Sequence, residues 1–208
     1  MDSEDNKIFI PRLVESVKVI NNIPLNIKFH NLRFNETRHY LFGINEQINL
    51  ADVINPPVSY LYSILKCRII YTQTILKINF EVYTPKKIDT LKIIKSDDIC
   101  YEYKFENRKK INDLFSQKEK CSDILIVKNG FITDTSFSNI IFFDGTKWIT
   151  PSTPLLKGTK RAELLSNNII SEEEIKFSDL LLFKKFMLIN AMLDFDFKSQ
   201  YDMSSIIN

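Results

Sequence analysis

A hairpin signal in the second half of the chain constrains its fold most strongly. Residues 124–127 are a continuous apolar run, Asn129-Gly130 follows directly after Lys128, and residues 131–134 come next. Asn-Gly is favoured in two-residue hairpin turns because both central residues adopt positive φ. The pattern therefore predicts a buried strand that turns back on itself and carries Asp134 on the returning arm.

Alternating and apolar segments on either side of this hairpin predict a chain that mixes strands and helices. Further strands are predicted over 13–20, 23–27, 66–71, 76–82, 90–95, 99–105, 140–143, 147–150 and 186–189. Helices are predicted over 29–42, 45–54, 108–118 and 178–182, and another begins near Gly158. The polar pair Asp97-Asp98 is the predicted boundary between a small N-terminal α/β domain, 1–97, and a larger C-terminal domain, 98–208.

The charge balance argues against several classes of function. The 208 residues carry 28 Lys and Arg against 26 Asp and Glu and have no long basic run, so no nucleic-acid partner is predicted. No apolar run approaches the roughly 18–20 residues that a membrane span requires. Residues 1–6 are acidic and lack the basic-then-apolar order of a signal peptide. We therefore expect a cytoplasmic protein with no membrane partner.

The cysteines and glycines narrow the chemistry further. Cys67, Cys100 and Cys121 are odd in number and lack metal-ligand spacing, so reduced thiols are predicted and no metal site is expected. The sequence contains neither a dinucleotide-binding glycine pattern nor a Walker A loop.

A lysine, a carboxylate and a helix N-terminus carry the main chemical signal. Lys104 lies in an aromatic run, Asp134 follows the hairpin, and the helix near Gly158 leaves its first backbone N–H groups unpaired. Pyridoxal 5'-phosphate needs an amine for its aldehyde, an anion for its ring nitrogen and donors for its phosphate. Each residue alone has a simpler reading, Lys104 as a solvated lysine and Asp134 as a loop or N-cap residue.

The order of these groups resembles the fold-type IV pyridoxal-phosphate enzymes, which include the branched-chain and D-amino-acid aminotransferases and aminodeoxychorismate lyase. The matching segments are Val14-Glu15-Ser16-Val17-Lys18, His30-Asn31-Leu32-Arg33, Lys104-Phe105-Glu106-Asn107-Arg108, Ile132-Thr133-Asp134-Thr135-Ser136-Phe137-Ser138-Asn139, Gly158-Thr159-Lys160-Arg161 and Asn190-Ala191. The resemblance implies the D-amino-acid aminotransferase-like fold, which is α+β, with a small α/β domain, a pseudo-barrel domain and the cofactor between them.

The same resemblance implies a role for each matching residue. Lys104 would be the catalytic lysine that holds the cofactor aldehyde. The implied cofactor-binding residues are Arg33 at the phosphate, Arg108 at the phenolate oxygen, Asp134 at the ring nitrogen, Phe137, Leu156 beneath the ring, and Thr159, Lys160, Asn190 and Ala191 around the phosphate. Ser16 and Lys18 would face the substrate.

The resemblance also implies a reaction. The Lys-x-x-Asn-Arg segment and the Asn-Ala ending favour the lyase branch, in which pyruvate is eliminated from aminodeoxychorismate to give 4-aminobenzoate. An amino-acid aminotransferase of the branched-chain or D-amino-acid type is one alternative. A degenerate, non-catalytic paralogue is another, favoured by Lys18 in place of arginine, Asp134 in place of glutamate and the lack of the family's N-terminal hairpin. A small amino substrate and a homodimer are implied as partners.

Overall fold

The first sheet of the computed structural model is antiparallel and has four strands. The structure describes residues 10–58 and 63–208, so the acidic residues 1–6 lie outside the described part. The strands are β1 (Leu13–Ile20), β2 (Ile23–Pro24), β3 (Ile64–Tyr71) and β4 (Ile75–Val82), in the spatial order β2-β1-β3-β4. β1 pairs with β3 along its whole length, from Leu13 opposite Tyr71 to Ile20 opposite Ile64.

One face of this sheet is covered by helix α1 (Ile27–Phe42). Because side chains alternate across a strand, Leu13, Val17 and Val19 point to one side of β1, where all three are fully buried. Phe34 of α1 packs into the same core, with its ring 4.4 Å from that of Tyr71. Gly43 ends the helix in the left-handed region at φ 70°, as the sequence predicts.

The second sheet is larger and contains nine strands. Its strands are β5 (Leu91–Lys95), β6 (Asp123–Lys128), β7 (Phe131–Thr135), β8 (Asn139–Phe143), β9 (Trp148–Pro151), β10 (Ser171–Glu173), β11 (Lys185–Ile189), β12 (Gln200–Asp202) and β13 (Ile206–Ile207). The main path runs β10-β9-β8-β7-β6-β5-β13, while β11 joins β8 to β12. The Asn-Gly hairpin between β6 and β7 is confirmed, with φ of 52° at Asn129 and 82° at Gly130.

Two short helices, α2 (Lys109–Phe115) and α3 (Thr159–Ser166), accompany the larger sheet. Four 3-10 turns complete the described structure, at Leu50–Asp52, Phe177–Leu182, Phe197–Ser199 and Met203–Ser205. In the described ranges, no helix combines the length and apolar character needed to cross a membrane. The main core of the larger sheet includes Leu125, Ile132, Ile140, Phe142 and Phe186, so the apolar run before the hairpin is a buried strand, as predicted.

Three predicted elements differ from the structure. The strand predicted over 23–27 is limited to Ile23–Pro24, and Ile27 already begins α1. The helix predicted over 45–54 is extended chain followed by the short Leu50–Asp52 turn, because side chains satisfy its backbone in place of helical bonds. Asn35 binds both the N–H and the carbonyl of Ile48, and Asn49 accepts from the N–H of Ala51. The strand predicted over 99–105 is irregular, and only Phe105 forms a bridge, to Leu13.

The two sheets divide earlier than the sequence suggests. β5 pairs in parallel with β6, from Leu91 opposite Asp123 to Lys95 opposite Val127, and so belongs to the larger sheet. The chain passes from the first sheet to the larger one between Val82, the last residue of β4, and Leu91, the first residue of β5, which is before the polar pair at 97–98. Division of the chain into two independent domains stays a prediction.

Truncation of Phe34 tests the core between α1 and the first sheet. Phe34→Ala should lower the free energy of unfolding by about 3–5 kcal/mol, because a fully buried aromatic ring is removed. Leu32→Ala on the same helix is the matched control, since Leu32 is 54% exposed, and should cost about 0.5 kcal/mol or less. Equilibrium urea unfolding followed by circular dichroism measures both. Equal losses for the two variants would contradict this packing.

Candidate active site

A buried carboxylate, Glu15, joins β1 to α1. It accepts hydrogen bonds from Nδ1 of His30 at 2.6 Å and from Nε and Nη2 of Arg33 at 2.8 and 2.6 Å. Burial on its own would raise the pKa of Glu15, but the charge of Arg33 and the bond from His30 bring that pKa down to about 2. Glu15 is therefore an anion at neutral pH, paired with a cation on the opposing helix.

His30 extends this cluster to α3. Because an ionised carboxylate can only accept, Nδ1 of His30 must carry a proton. Burial lowers the pKa of His30, so the ring is neutral and its Nε2 is an acceptor. Nε2 lies 3.3 Å from the hydroxyl of Thr159, the first residue of α3. The hydroxyl of Thr159 thus donates to His30. These hydrogen bonds connect β1, through α1, to α3.

Lys104 lies beside β1 in the irregular segment that replaces the predicted strand. Its carbonyl accepts from the N–H of Val14 at 2.9 Å, and two residues later the N–H of Glu106 donates to the carbonyl of Arg12. The side chain of Lys104 is half-buried. Burial, helped by the positive charge of Arg33, lowers the pKa of Lys104 to about 7. A large share of its amine is therefore neutral, and nucleophilic, near neutral pH.

The segment reaches this place because its aromatic side chains pack in different directions. Tyr103 packs against the core beneath α1, whereas Tyr101 belongs to the core beside α2. The hydroxyl of Tyr101 donates to the carbonyl of Phe105 at 2.8 Å, which folds the chain back on itself. The alternation of aromatic and polar residues predicts a strand here. The segment is instead an irregular loop packed against β1, because its aromatic side chains enter different cores.

Asp134 lies on β7 and is 5% exposed. Its Oδ1 accepts from Nδ2 of Asn139 at 2.7 Å, and its Oδ2 accepts from the N–H of Leu156 at 2.9 Å. Burial raises the pKa of Asp134 to about 6, against the effect of these two donors. The carboxylate is mostly ionised at pH 7 and above, and its two oxygens keep lone pairs for a further donor.

Asn139 ties this carboxylate to the segment before α3. The same Nδ2 donates to the carbonyl of Leu156 at 2.8 Å. A β-carbon at position 158 would collide with Oδ1 of Asn139, so glycine is required there for the chain to pass. Among the described residues, no hydrogen bond or ion pair joins Lys104 directly to Asp134.

The residues predicted to bind the phosphate lie at or near the start of α3. Gly158 is its N-cap, and Thr159 is 3% exposed. Lys160 turns away along the helix, where its Nζ lies 2.6 Å from the Glu163 carboxylate. Arg33 approaches the same segment, with Nη1 3.5 Å from the carbonyl of Lys157. A cation and the first turn of a helix therefore face one another here.

Arg108 and Phe137 are in direct contact with one another. The guanidinium of Arg108 stacks over the Phe137 ring at 4.2 Å and donates from Nη2 to the carbonyl of Ser136 at 2.6 Å. The buried carboxylate of Asp123 accepts from the hydroxyl of Ser136, which fixes this loop. Arg108 also lines a cleft of about 560 Å³ with Arg12 and other residues, so a small molecule can reach it.

The other predicted residues occupy the neighbouring strands. Lys18 is 4% exposed and its Nζ contacts Asp194 at 2.7 Å, while Ser16 lies opposite Arg68 in the first sheet. Asn190 follows β11 directly. Its Nδ2 donates to the hydroxyl of Ser138 at 2.9 Å, and half-buried Ala191 comes next in the turn. The β-ladder places Ile189 opposite Asn139, so this turn lies near the Asp134 pair.

Three residues that lie in the matching segments without a predicted role of their own are central to the hydrogen bonds of the candidate site: Glu15, His30 and Asn139. Glu15 had a signal, since it is a charged residue in register with Leu13 and Val17 on the buried face of a strand. The residues described include no cluster of three or more His, Cys, Asp or Glu placed to hold a metal ion. The donor set that is present, with a neutral amine, a buried anion, an arginine and a helix start, fits pyridoxal phosphate in its chemistry.

Known proteins share this fold and sequence. The model of the class IV amino-transferase family matches residues 110–195. An uncharacterized protein of Haemophilus influenzae is 36% identical over 182 residues, covering 86% of this chain and 97% of that protein. A crystal structure from Haemophilus somnus, provisionally titled a 4-amino-4-deoxychorismate lyase, has a TM-score of 0.82 and 33% identity over 89% of this chain and 98% of its own. A provisionally named aminodeoxychorismate lyase of Schizosaccharomyces pombe is 39% identical over 62 residues, which is 28% of this chain and 27% of that protein.

Fold and site together define the fold-type IV scaffold, an α+β arrangement of a small α/β part and a pseudo-barrel part. The chain belongs to the class IV aminotransferase family. The family and the fold are those of pyridoxal-phosphate-dependent aminotransferases and lyases.

The low pKa of Lys104 predicts a pH-dependent gain in stability when the amine is removed. An unfolded lysine titrates near ~10.4 and the folded one near 7, so the folded state disfavours the protonated amine. That cost is full below pH 7 and fades as the pH rises toward 10. Lys104→Met should therefore raise the free energy of unfolding by ~1–3 kcal/mol at pH 6.5, and by much less at pH 9.5.

Lys110→Met is the control for this measurement, because Lys110 is exposed on the neighbouring helix. Its urea unfolding curve should shift little, and equally at both pH values. A loss of stability in Lys104→Met that does not depend on pH would contradict a depressed pKa at this position.

Proposed function

We propose that this chain is a pyridoxal-phosphate-dependent lyase that eliminates pyruvate from 4-amino-4-deoxychorismate to give 4-aminobenzoate. The observation that carries the proposal is the state of the Lys104 amine. Burial and the charge of Arg33 lower the pKa of Lys104 to about 7, and Arg33 itself approaches the segment that begins α3. The Haemophilus somnus structure and the fission-yeast relative are both provisionally named as aminodeoxychorismate lyases, which supports the lyase reaction.

Each candidate residue has a defined task under this proposal. When bound, pyridoxal phosphate withdraws electrons from the substrate carbon that carries the amino group. Lys104 would hold the cofactor aldehyde before the substrate arrives. Its Nζ would then remove the proton of that carbon and deliver a proton to the enolpyruvyl group, which leaves as pyruvate when the C–O bond to the ring breaks. Arg33 and the first N–H groups of α3 hold the phosphate.

Asp134 holds the proton of the ring nitrogen in this scheme. Its burial raises its pKa to about 6, so it is an anion at the pH of the cytoplasm, and a cationic partner would stabilise that form further. Aspartate is shorter than glutamate by one carbon, about 1.5 Å. Hydrogen bonds with Asn139 and Leu156 fix the Asp134 carboxylate in place. The cofactor ring would therefore have to lie closer to β7 than it would with a glutamate at this position.

Arg108 lies where it can complement a negative oxygen on the ring. Its guanidinium is held by Ser136 and Phe137. Burial lowers the pKa of Arg108, and a guanidinium remains protonated at neutral pH because its ordinary pKa is so high. The charge of Arg108 also contributes to the low pKa of Lys104. It therefore favours the neutral amine that the proposed chemistry needs.

Transamination of an amino acid is the second candidate, since the family model is that of the amino-transferases. The two reactions share the lysine and the cofactor, and they differ in where the proton returns and which bond breaks. Retention of a buried, charge-tuned lysine argues against the non-catalytic alternative, because a structural role does not need an amine there. A homodimer and a cytoplasmic location remain expectations drawn from the family and from the sequence.

Cofactor binding can be tested through the covalent bond to Lys104. Purified protein incubated with pyridoxal phosphate should absorb near the visible range, and borohydride should then fix one cofactor per chain. Intact mass and peptide mapping should place it on Lys104. Lys104→Met should retain no mass adduct after reduction, whereas Lys110→Met should behave as the natural protein. An unmodified mass, or labelling spread over surface lysines, would refute the assignment of Lys104.

Substrate choice can be tested with the same preparation. Loaded enzyme incubated with 4-amino-4-deoxychorismate should release pyruvate and 4-aminobenzoate in equal amounts, while amino-acid and keto-acid pairs should give no exchange. Asp134→Asn should lower kcat by roughly 10²-fold or more, because the ring nitrogen loses its anionic partner. If exchange of amino groups occurs and pyruvate is not released, the second candidate is correct.

A further inference from the structure

The guanidinium of Arg33 has one edge that is bound and one that faces the proposed phosphate site. Glu15 takes Nε and Nη2 in a two-point contact, at 2.8 and 2.6 Å. This contact uses the edge formed by those two nitrogens, so Nη1 points to the other side. There it lies 3.5 Å from the carbonyl of Lys157, which is a long contact and leaves donors for a ligand.

Glu15 also acts on the second half of the same site. His30 donates to it from Nδ1 and presents Nε2 to the hydroxyl of Thr159. Thr159 opens α3, and its neighbour Gly158 is held close to Asn139. One fully buried carboxylate therefore orders both the arginine and the first residue of the helix that face the phosphate site.

We propose that Glu15 is a positioning residue for the phosphate of the cofactor. It clamps Arg33 by one edge so that Nη1 faces the start of α3, and through His30 it holds Thr159 at that start. The inference rests on the proposed function, because it takes pyridoxal phosphate as the ligand.

Position and charge act in opposite directions at Glu15. As an anion it repels a phosphate, so charge alone would make Glu15 unfavourable for cofactor binding. As a clamp it holds a long side chain in its binding rotamer before the ligand arrives, which lowers the entropy lost on binding. The positioning role requires the second effect to exceed the first. Variants that change only length or only charge separate the two.

The experiment compares the affinities of pyridoxal phosphate and pyridoxal, which lacks the phosphate, by absorbance titration. Glu15→Asp keeps the charge but shortens the arm by about 1.5 Å, so the two-point clamp cannot form in place. We expect the ratio of the two affinities to fall at least fivefold, with pyridoxal affinity unchanged. Glu36→Gln is the control, since Glu36 is exposed on the same helix, and it should leave the ratio as it is.

Glu15→Gln keeps the length and one acceptor oxygen but removes the charge, so its ratio should fall less than that of Glu15→Asp. A change below fivefold in Glu15→Asp would overturn the proposal, as would a larger fall in Glu15→Gln. Loss of fold would weaken the binding of both ligands together, so the ratio is interpreted only for a variant whose affinity for pyridoxal equals that of the natural protein.

A second measurement covers the case in which Glu15→Asp binds neither ligand. Glu15→Gln is then compared in the natural background and in Arg33→Lys, where no two-point clamp exists. Positioning through Arg33 predicts a change in the ratio only when Arg33 is present, and equal changes in both backgrounds would overturn it. If the natural protein itself shows no preference for the phosphorylated ligand, the proposed cofactor site fails; a preference that Glu15→Asp retains defeats only the role of Glu15.

Discussion

An ionised carboxylate in a protein interior must be matched by cations and hydrogen-bond donors, because isolated burial of a charge is very costly. Glu15 meets this requirement with Arg33 and His30, both from the first turns of α1. The pairing fixes the angle at which the helix lies over β1, since a shift of either element would leave the charge unpaired. The neutral ring of His30 then carries the constraint on to Thr159 and the larger sheet.

Residues 156–159 form one of the places at which the larger sheet meets the elements packed on the first sheet. From the larger sheet, Asp134 accepts from the N–H of Leu156, and Asn139 donates to the carbonyl of the same residue. From helix α1, Arg33 approaches the carbonyl of Lys157, and His30 contacts the hydroxyl of Thr159. Asp134 and Arg33 therefore both contact the same short connection. Movement of this connection would misplace them together.

The candidate site also shows why one fold allows several reactions. Burial and neighbouring cations lower the pKa of Lys104, and burial alone raises the pKa of Asp134, so the two groups have pKa values near 7 and 6. These values suit proton transfer near neutral pH, whatever bond of the substrate breaks afterwards. Elimination and transamination would both use these two groups, so the pair by itself does not select the reaction.

The sequence alone determined the parts of this protein that depend on local pattern. The Asn-Gly hairpin, the apolar strand before it, the helix ending at Gly43 and the ordered segments of the family all follow from residue type and spacing. Only the tertiary structure decided that residues 99–105 form a docked loop, that 45–54 is held by asparagine side chains, and that β5 joins the larger sheet. The partners of Glu15 were likewise invisible, because hydrogen bonds between residues far apart in the chain have no periodic signature. Local pattern reports which face of an element is apolar, whereas the partner of a buried charge is set by packing in three dimensions.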